Sequence, residues 1–357
     1  MSFETFGIVK DKIVTFNNTK KVSKGEIIFK GDNLASLKSR AGKGTVVDEK
    51  QLALISEKDG YVRVIGDKFF IDSLEIIDGN FDFKHGTKKF FSSLWIKGDV
   101  YSGSRLIVDG NLQIDGTVEN CIIKCNGSII ILGNLYGQEK ANIIVRGNAY
   151  VKSITGAKFI SYGDILVGEL IRHSTLFTAS SLEIKNKGEI IGGKIYAKDK
   201  INAKILGSEN IIKTSVSIGY NFKLKFFLEQ MKNNLKNILL TLKKNREFLE
   251  RKFNITLIND NDYIDFVMKN LDKEDLQKNM LLEAIESIKL LEKARLIKKK
   301  IKNFPQHNLA NLKSFLRCNT IYPGVTIRIL DKRLDIINKI SGDIIINREN
   351  IDSWQQL

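Results

Sequence analysis

One phrase keeps returning between Leu94 and Gly219: apolar, any, apolar or small, any, Gly, Asp or Asn, apolar, any, apolar. Its instances are Leu94-Trp95-Ile96-Lys97-Gly98, Leu106-Ile107-Val108-Asp109-Gly110, Ile123-Lys124-Cys125-Asn126-Gly127, Ile143-Ile144-Val145-Arg146-Gly147 and Phe159-Ile160-Ser161-Tyr162-Gly163. Two later copies keep the phase but lose the glycine, with Ser180 after Leu176 and Thr178, and Asp199 after Ile195 and Ala197. From Gly110 to Asp199 five steps span 89 residues, a mean of 17.8 per step. That spacing is too short for a helix-pair repeat and too regular for a sandwich.

Alternate side chains of a strand share a face, so the residues four and two before each glycine point the same way. The pattern resumes after the corner, at Leu112 and Ile114, Ile129 and Ile131, Ala149 and Val151, Ile165 and Val167. Two short strands meeting at a glycine corner, one unit per step, stack into a parallel β-helix. Gly98, Gly110, Gly127, Gly147 and Gly163 are the expected corners, glycine being suited to them because it accepts positive φ without steric cost. A β-sandwich would need regular hairpin turns, which this stretch lacks.

One outward column departs from the polar alternation. Three residues before each corner stand Trp95, Ile107, Lys124, Ile144, Ile160, Phe177 and Tyr196, and all but Lys124 are apolar or aromatic. This column is a candidate interaction surface, with cover by another segment of the chain as the more economical reading.

The flanking segments read differently. Residues 1–80 are short strands and turns, expected to form a small N-terminal β domain, and residues 81–220 carry the β-helix. Residues 221–304 then switch to a helical period: Leu224, Leu228, Met231, Leu235, Ile238, Leu242 and Leu249 alternate spacings of four and three around Asn245, a coiled-coil seam. A second helix carries Leu281, Ile285, Ile288, Leu291, Ala294, Ile297, Ile301 and Phe304. Two such helices joined by a short tip predict an antiparallel coiled-coil hairpin. Strand character returns in residues 305–357, placed to complete or cap the β-helix. The expected fold is therefore mainly β with an α-helical insertion: a parallel β-helix solenoid preceded by a small β domain and carrying an antiparallel coiled-coil arm.

The net charge of +16 invites a nucleic-acid partner, because clustered cations release counterions from phosphate. The surplus is dispersed, however, with 19 basic against 12 acidic residues between Asn221 and Phe304. The run Lys298-Lys299-Lys300 with Lys302 suits a solvated helix end, and no nucleic-acid-binding signature accompanies it. No stretch has the ~20 apolar residues of a membrane span, no signal segment opens the chain, and three cysteines do not suggest a disulfide framework. A soluble, cytoplasmic protein is the expectation.

No catalytic, cofactor or metal site emerges. His85, His173 and His307 fall in different predicted elements. Cys121 and Cys125 share the inward face but stand about 13 Å apart at strand spacing, too far for a disulfide or a common ligand. Asn259-Asp260-Asn261-Asp262 lacks the glycine and closing glutamate of a calcium loop. Gly42-Lys43-Gly44 is shorter than a phosphate loop. An enzyme using a solenoid groove on carbohydrate or nucleotide is the alternative function, and a basic nucleic-acid-binding protein another.

The ordered features together resemble a known family. Val22 to Ile28 and Asp59 to Val62 lie in the small β domain, followed by glycine-corner coils and Gly188-Glu189-Ile190-Ile191-Gly192-Gly193-Lys194-Ile195-Tyr196-Ala197. A coiled-coil insertion and Ile321-Tyr322-Pro323-Gly324-Val325 complete the order, which is similar to the bacterial flagellar assembly protein A family. The resemblance implies a cytoplasmic protein linked to flagellar assembly or placement, with no established catalytic residues to carry over. A rigid solenoid with a projecting arm and no catalytic cluster leads in turn to the expectation of a non-enzymatic scaffold or adaptor. Its partners would be proteins, flagellar or polar-organisation components among them, or a second copy of the chain. Against that pattern, the N-terminal region reads as shorter than that of typical members, and no role is carried over to it.

Overall fold

The computed structural model describes residues 6–9, 12–82, 86–219, 221–254, 256, 265, 278–302 and 313–356. The chain divides into two compact units: Met1–Phe222 with Ala310–Leu357, and Lys223–Leu309.

The first unit is built on a β-solenoid whose coils lay extended runs on three faces. Face A stacks Lys88–Phe90, Arg105–Val108 and Ile122–Cys125, then the closing residues of Ile129–Val145, Ala149–Ser161, Ile165–Thr178 and Glu189–Ala197. Thr214–Ile218 and Val325–Ile329 complete it. Face B stacks Leu74–Ile77, Ser93–Ile96 and Leu112–Ile114, the opening residues of the three longest strands, then Leu182–Ile184, Lys200–Asn202 and Phe315–Ile321. Face C runs through Phe81, Val100, Val118, Leu135, Ile154, Ile171, Ile190, Leu206 and Ile321. The first rung, at Leu74, thus lies inside the stretch expected to belong to the N-terminal domain.

All the pairings along the stack are parallel until its end. Because every second residue points inward, Leu106, Ile123, Ile143, Phe159, Leu176 and Ile195 form one buried ladder and Leu94, Leu112, Ile129, Ala149, Ile165 and Leu182 another, within a single core. At the far end Lys332–Asp335 and Ile340–Asn347 pair antiparallel with the last coil. Reversing direction closes a stack that would otherwise offer open backbone for pairing.

The register changes the reading of the repeat. Trp95 pairs with Ile76 and Gln113 on face B, whereas Ile107, Lys124, Ile144, Ile160, Phe177 and Tyr196 align on face A. Gly98 likewise stacks with Gly116 between faces B and C, while Gly110, Gly127, Gly147 and Gly163 stack between faces A and B. The phrase at Leu94 to Gly98 is thus one face out of phase with the others. Inward alternation is the same on every face, so a local pattern does not distinguish the faces.

The reason for glycine also differs from the expected one. None of these five corner glycines has positive φ. A Cβ at Gly98 would collide with Asn80 Oδ1, at Gly110 with Ser93 Oγ, at Gly127 with Asn111 Oδ1, at Gly147 with Ser128 Oγ and at Gly163 with Asn148 Oδ1. The preceding coil occupies that space for hydrogen bonding. Ser93 Oγ accepts from Asn111 N, Asn111 Oδ1 from Ser128 N, Ser128 Oγ from Asn148 N, Asn148 Oδ1 from Asp164 N and Asp164 Oδ1 from Ser181 N, at 2.8–3.2 Å. Each corner therefore satisfies a backbone donor of the next, and glycine makes room for it. Positive φ recurs between faces C and A, at Gly103, Gln138, Gly156, His173 and Gly192.

The N-terminal domain contains two three-stranded antiparallel sheets around Val22, Leu37, Leu54, Val62 and Ile71. Its short helix α1 (Leu34–Arg40) is capped by Asn33, whose Oδ1 accepts from Ser36 N at 2.8 Å.

The second unit holds helices α2 (Phe222–Phe253) and α3 (Lys278–Lys302). On α2, Met231 is buried and Leu235, Ile238 and Leu242 are half-buried; on α3, Leu291 and Ala294 are buried and Ile288, Ile297 and Ile301 half-buried. The side chains of Leu224, Leu228, Leu249, Leu281 and Ile285 lie outside the described residues, as do Phe304 and the run Asn259 to Asp262. In the first unit, both ends of the insertion meet one solenoid corner. Gly219 N donates to Ala197 O, Phe315 N to Asp199 O and Ser314 Oγ to Lys198 O, so the insertion interrupts a coil without shifting its register.

Candidate functional site

Two outward columns of the solenoid carry large apolar side chains, and they differ in burial. On face B the column is Ile76, Trp95, Gln113, Ile130, Tyr150 and Leu166. The N-terminal segment covers its middle: Phe6, Phe16 and Tyr61 cluster with Trp95 and Ile130, joined by Ile13, Leu74, Leu132 and Tyr150. Phe6 stacks on Phe16 with centroids 4.1 Å apart, and Phe16 meets the edge of Tyr61 at 4.9 Å.

Polar groups under this cover are paired, as burial demands. Phe16 N donates to Gln113 Oε1 at 2.6 Å, Gln113 Nε2 to Asp115 Oδ1 at 2.6 Å and Trp95 Nε1 to Asp115 Oδ2 at 2.8 Å. Tyr61 OH lies 2.7 Å from Ser93 Oγ and accepts from Asn111 Nδ2 at 3.1 Å, coupling the N-terminal domain to the corner ladder. Burial pushes the Tyr61 hydroxyl up to about 12, against the hydrogen bond with Ser93. Trp95 therefore serves the chain's own packing.

On face A the column is Ile107, Lys124, Ile144, Ile160, Phe177 and Tyr196, in consecutive register. Ile160 is buried; Ile107, Ile144, Phe177 and Tyr196 are half-buried. The rings of Phe177 and Tyr196 stack 4.6 Å apart and 4° from parallel. The neighbouring outward column, two residues earlier, is mostly polar: Arg105, Ile122, Asn142, Lys158, Thr175 and Lys194. An apolar ridge thus runs beside a basic and amide one on face A. The second column could have been found by reading the same repeat two residues earlier.

No cluster of three or more histidine, cysteine or acidic side chains able to hold a metal occurs among the described residues. His173 sits at a positive-φ corner, while His85 and His307 lie outside the described residues. Burial pushes the thiols of Cys121, Cys125 and Cys318 up to about 12, which makes them poor nucleophiles near neutral pH. Lys298, Lys299, Lys300 and Lys302 are exposed at the C-terminal end of α3. No helix among the described residues is long and apolar enough to cross a membrane.

With the coils and corners in view, comparison with family models is decisive. The model of the flagellar assembly protein A beta solenoid domain matches residues 74–351. The chain belongs to the flagellar assembly protein A family. The match opens at Leu74, where face B begins, and continues through the capping strands. Membership associates this chain with flagellar assembly and with a β-solenoid fold. Comparison with curated proteins and with solved structures gave no match.

Proposed function

We propose that this member of the flagellar assembly protein A family is a non-enzymatic cytoplasmic scaffold that binds protein partners in flagellar assembly or placement. The carrying observation is the ridge of Ile144, Ile160, Phe177 and Tyr196 on face A, held in register by the ladder beneath it. A stiff sheet presents these side chains with little ordering left to do on binding, which lowers the cost of association. Aromatic residues are enriched at protein interfaces.

The helical unit supplies a second surface. We read its helices as an antiparallel coiled-coil arm, in a register that would set Met231 against Ala294, Leu235 against Leu291 and Ile238 against Ile288. These pairs keep a nearly constant index sum, and all six side chains are buried or half-buried. The arm's exposed Leu239, Leu240, Phe248 and Leu296 add apolar contacts for a partner or a second copy.

The test is recovery of flagellar-assembly or polar-organisation proteins by the intact chain, by Phe177→Ala with Tyr196→Ala, and by a chain lacking residues 224–304. Loss with the first variant assigns the ridge, and loss with the second assigns the arm. Undiminished recovery by both sinks the proposal.

A further inference from the structure

Where the N-terminal domain meets the corner between faces A and B lies a cleft of about 410 Å³, within the size range of small-ligand sites. Its two walls differ in chemistry. The N-terminal domain contributes Lys43, Lys58 and Arg63; the solenoid contributes Asp109, Asn126 and the side-chain-free backbone of Gly110 and Gly127. Phe91 lines it while remaining 81% exposed.

The basic wall is held in place by the fold. Ile71 N donates to Lys43 O at 3.0 Å, tying the Gly42-Lys43-Gly44 loop to the neighbouring strand. Gly44 has φ +85°, and a Cβ there would stand 2.8 Å from Ile71 O and 3.2 Å from Lys58 Cε. The loop thus runs directly against the Lys58 side chain, bringing two lysines to one wall. Arg63 is neutralised by Asp72, to which both its Nε and one terminal nitrogen donate. Lys58 Nζ instead donates to a neutral group, Ser73 Oγ, at 3.0 Å, and neither lysine has a carboxylate partner among the described residues. Across the cleft Asn126 Nδ2 donates to Asp109 Oδ1 at 2.8 Å, leaving the other carboxylate oxygen available to accept from hydroxyls.

Two uncompensated cations, a facing carboxylate and amide, a flat floor and an exposed ring make a complementary set. We propose that this cleft binds a small phosphorylated sugar, free or within a nucleotide, with its phosphate against Lys43 and Lys58 and its hydroxyls toward Asp109 and Asn126. In a nucleotide the base lies over Phe91. Lysine holds phosphate as a point charge, and an aromatic face accepts a base or a sugar ring by stacking. The site lies apart from the face A ridge, so its failure leaves the scaffold reading intact, and the reverse also holds.

Calorimetric titration of the full chain with glucose 6-phosphate, GMP, inorganic phosphate and glucose tests this. Saturable binding of at least one of the first two is expected with a dissociation constant below about 1 mM, and at least about tenfold weaker binding of phosphate and of glucose. Lys43→Gln with Lys58→Gln is expected to weaken the phosphorylated ligand by about tenfold or more while leaving the thermal midpoint in place, since both lysines lie outside the core. Phe91→Ala separates the sources, weakening GMP and sparing glucose 6-phosphate. No saturable binding up to about 5 mM, binding of phosphate alone as tight as its sugar ester, or binding that survives both lysine substitutions overturns the proposal.

Discussion

Faces A and B of the solenoid carry similar outward apolar columns, whose aromatic side chains differ in how deeply they are buried. On face B, Trp95 and Ile130 lie beneath Phe6, Phe16 and Tyr61, with Gln113 and Asp115 drawn into hydrogen bonds. On face A, Phe177 and Tyr196 stack on each other and stay half-buried. An outward aromatic on a solenoid therefore has no fixed meaning. What matters is whether a segment elsewhere in the chain has the matching shape and donors to cover it.

The largest effect expected from disturbing this contrast is on face B. Trp95→Ala removes a buried ring and orphans Asp115 Oδ2, and should cost about 3–5 kcal/mol, read as a lower urea midpoint. An undiminished midpoint would mean that the N-terminal segment does not clasp the solenoid.

Next come the corners shared by both faces. At Gly163→Ala the new Cβ collides with Asn148 Oδ1 and approaches Gly147 backbone, so the ladder must break there, at an expected cost of about 1–3 kcal/mol. Gly25→Ala, with open space around it but φ +86°, should cost about 1 kcal/mol. A smaller loss at Gly163 than at Gly25 would return the corner glycines to a conformational role.

The face B contact should also respond to alkali. Tyr61 is held up to about 12 from its ordinary 10.0, so its neutral form is favoured in the fold. Its contribution is fully present below pH 10 and is lost as pH rises from about 10 to about 12, for about 2–3 kcal/mol. The buried thiols act in the same direction from about pH 9. Tyr61→Phe should flatten the upper part of this fall in a denaturation series across pH, whereas a fall unchanged in Tyr61→Phe would remove Tyr61 from the account.

The smallest effect belongs to face A. Phe177→Ala with Tyr196→Ala should lower stability by only about 0.5–1.5 kcal/mol while removing partner recovery. A stability loss as large as that of Trp95→Ala would show that face A, like face B, serves internal packing.

Much of the solenoid was legible before any coordinates. Inward ladders such as Leu106, Ile123, Ile143 and Phe159 follow from period-two alternation repeated at near-constant spacing, and the switch to helical period after Asn221 is equally local. The face A ridge was legible except for the membership of Trp95, because Leu94 to Gly98 repeats the same local phrase on another face. The Asn-Ser-Asp ladder was present as the residue following each glycine, but its meaning depends on a neighbour about one coil away. The cleft at Lys43 and Lys58 was not legible at all, since its walls come from segments separated by tens of residues.

By itself, then, the sequence determined the repeat, the inward face and the place of the helical insertion, because each is set by the alternation of neighbouring side chains along one strand or helix. Only the tertiary structure decided which outward residues are covered, why the corners require glycine, and that two lysines face Asp109 across one cleft. Those outcomes depend on what stacks above, below and across from each residue.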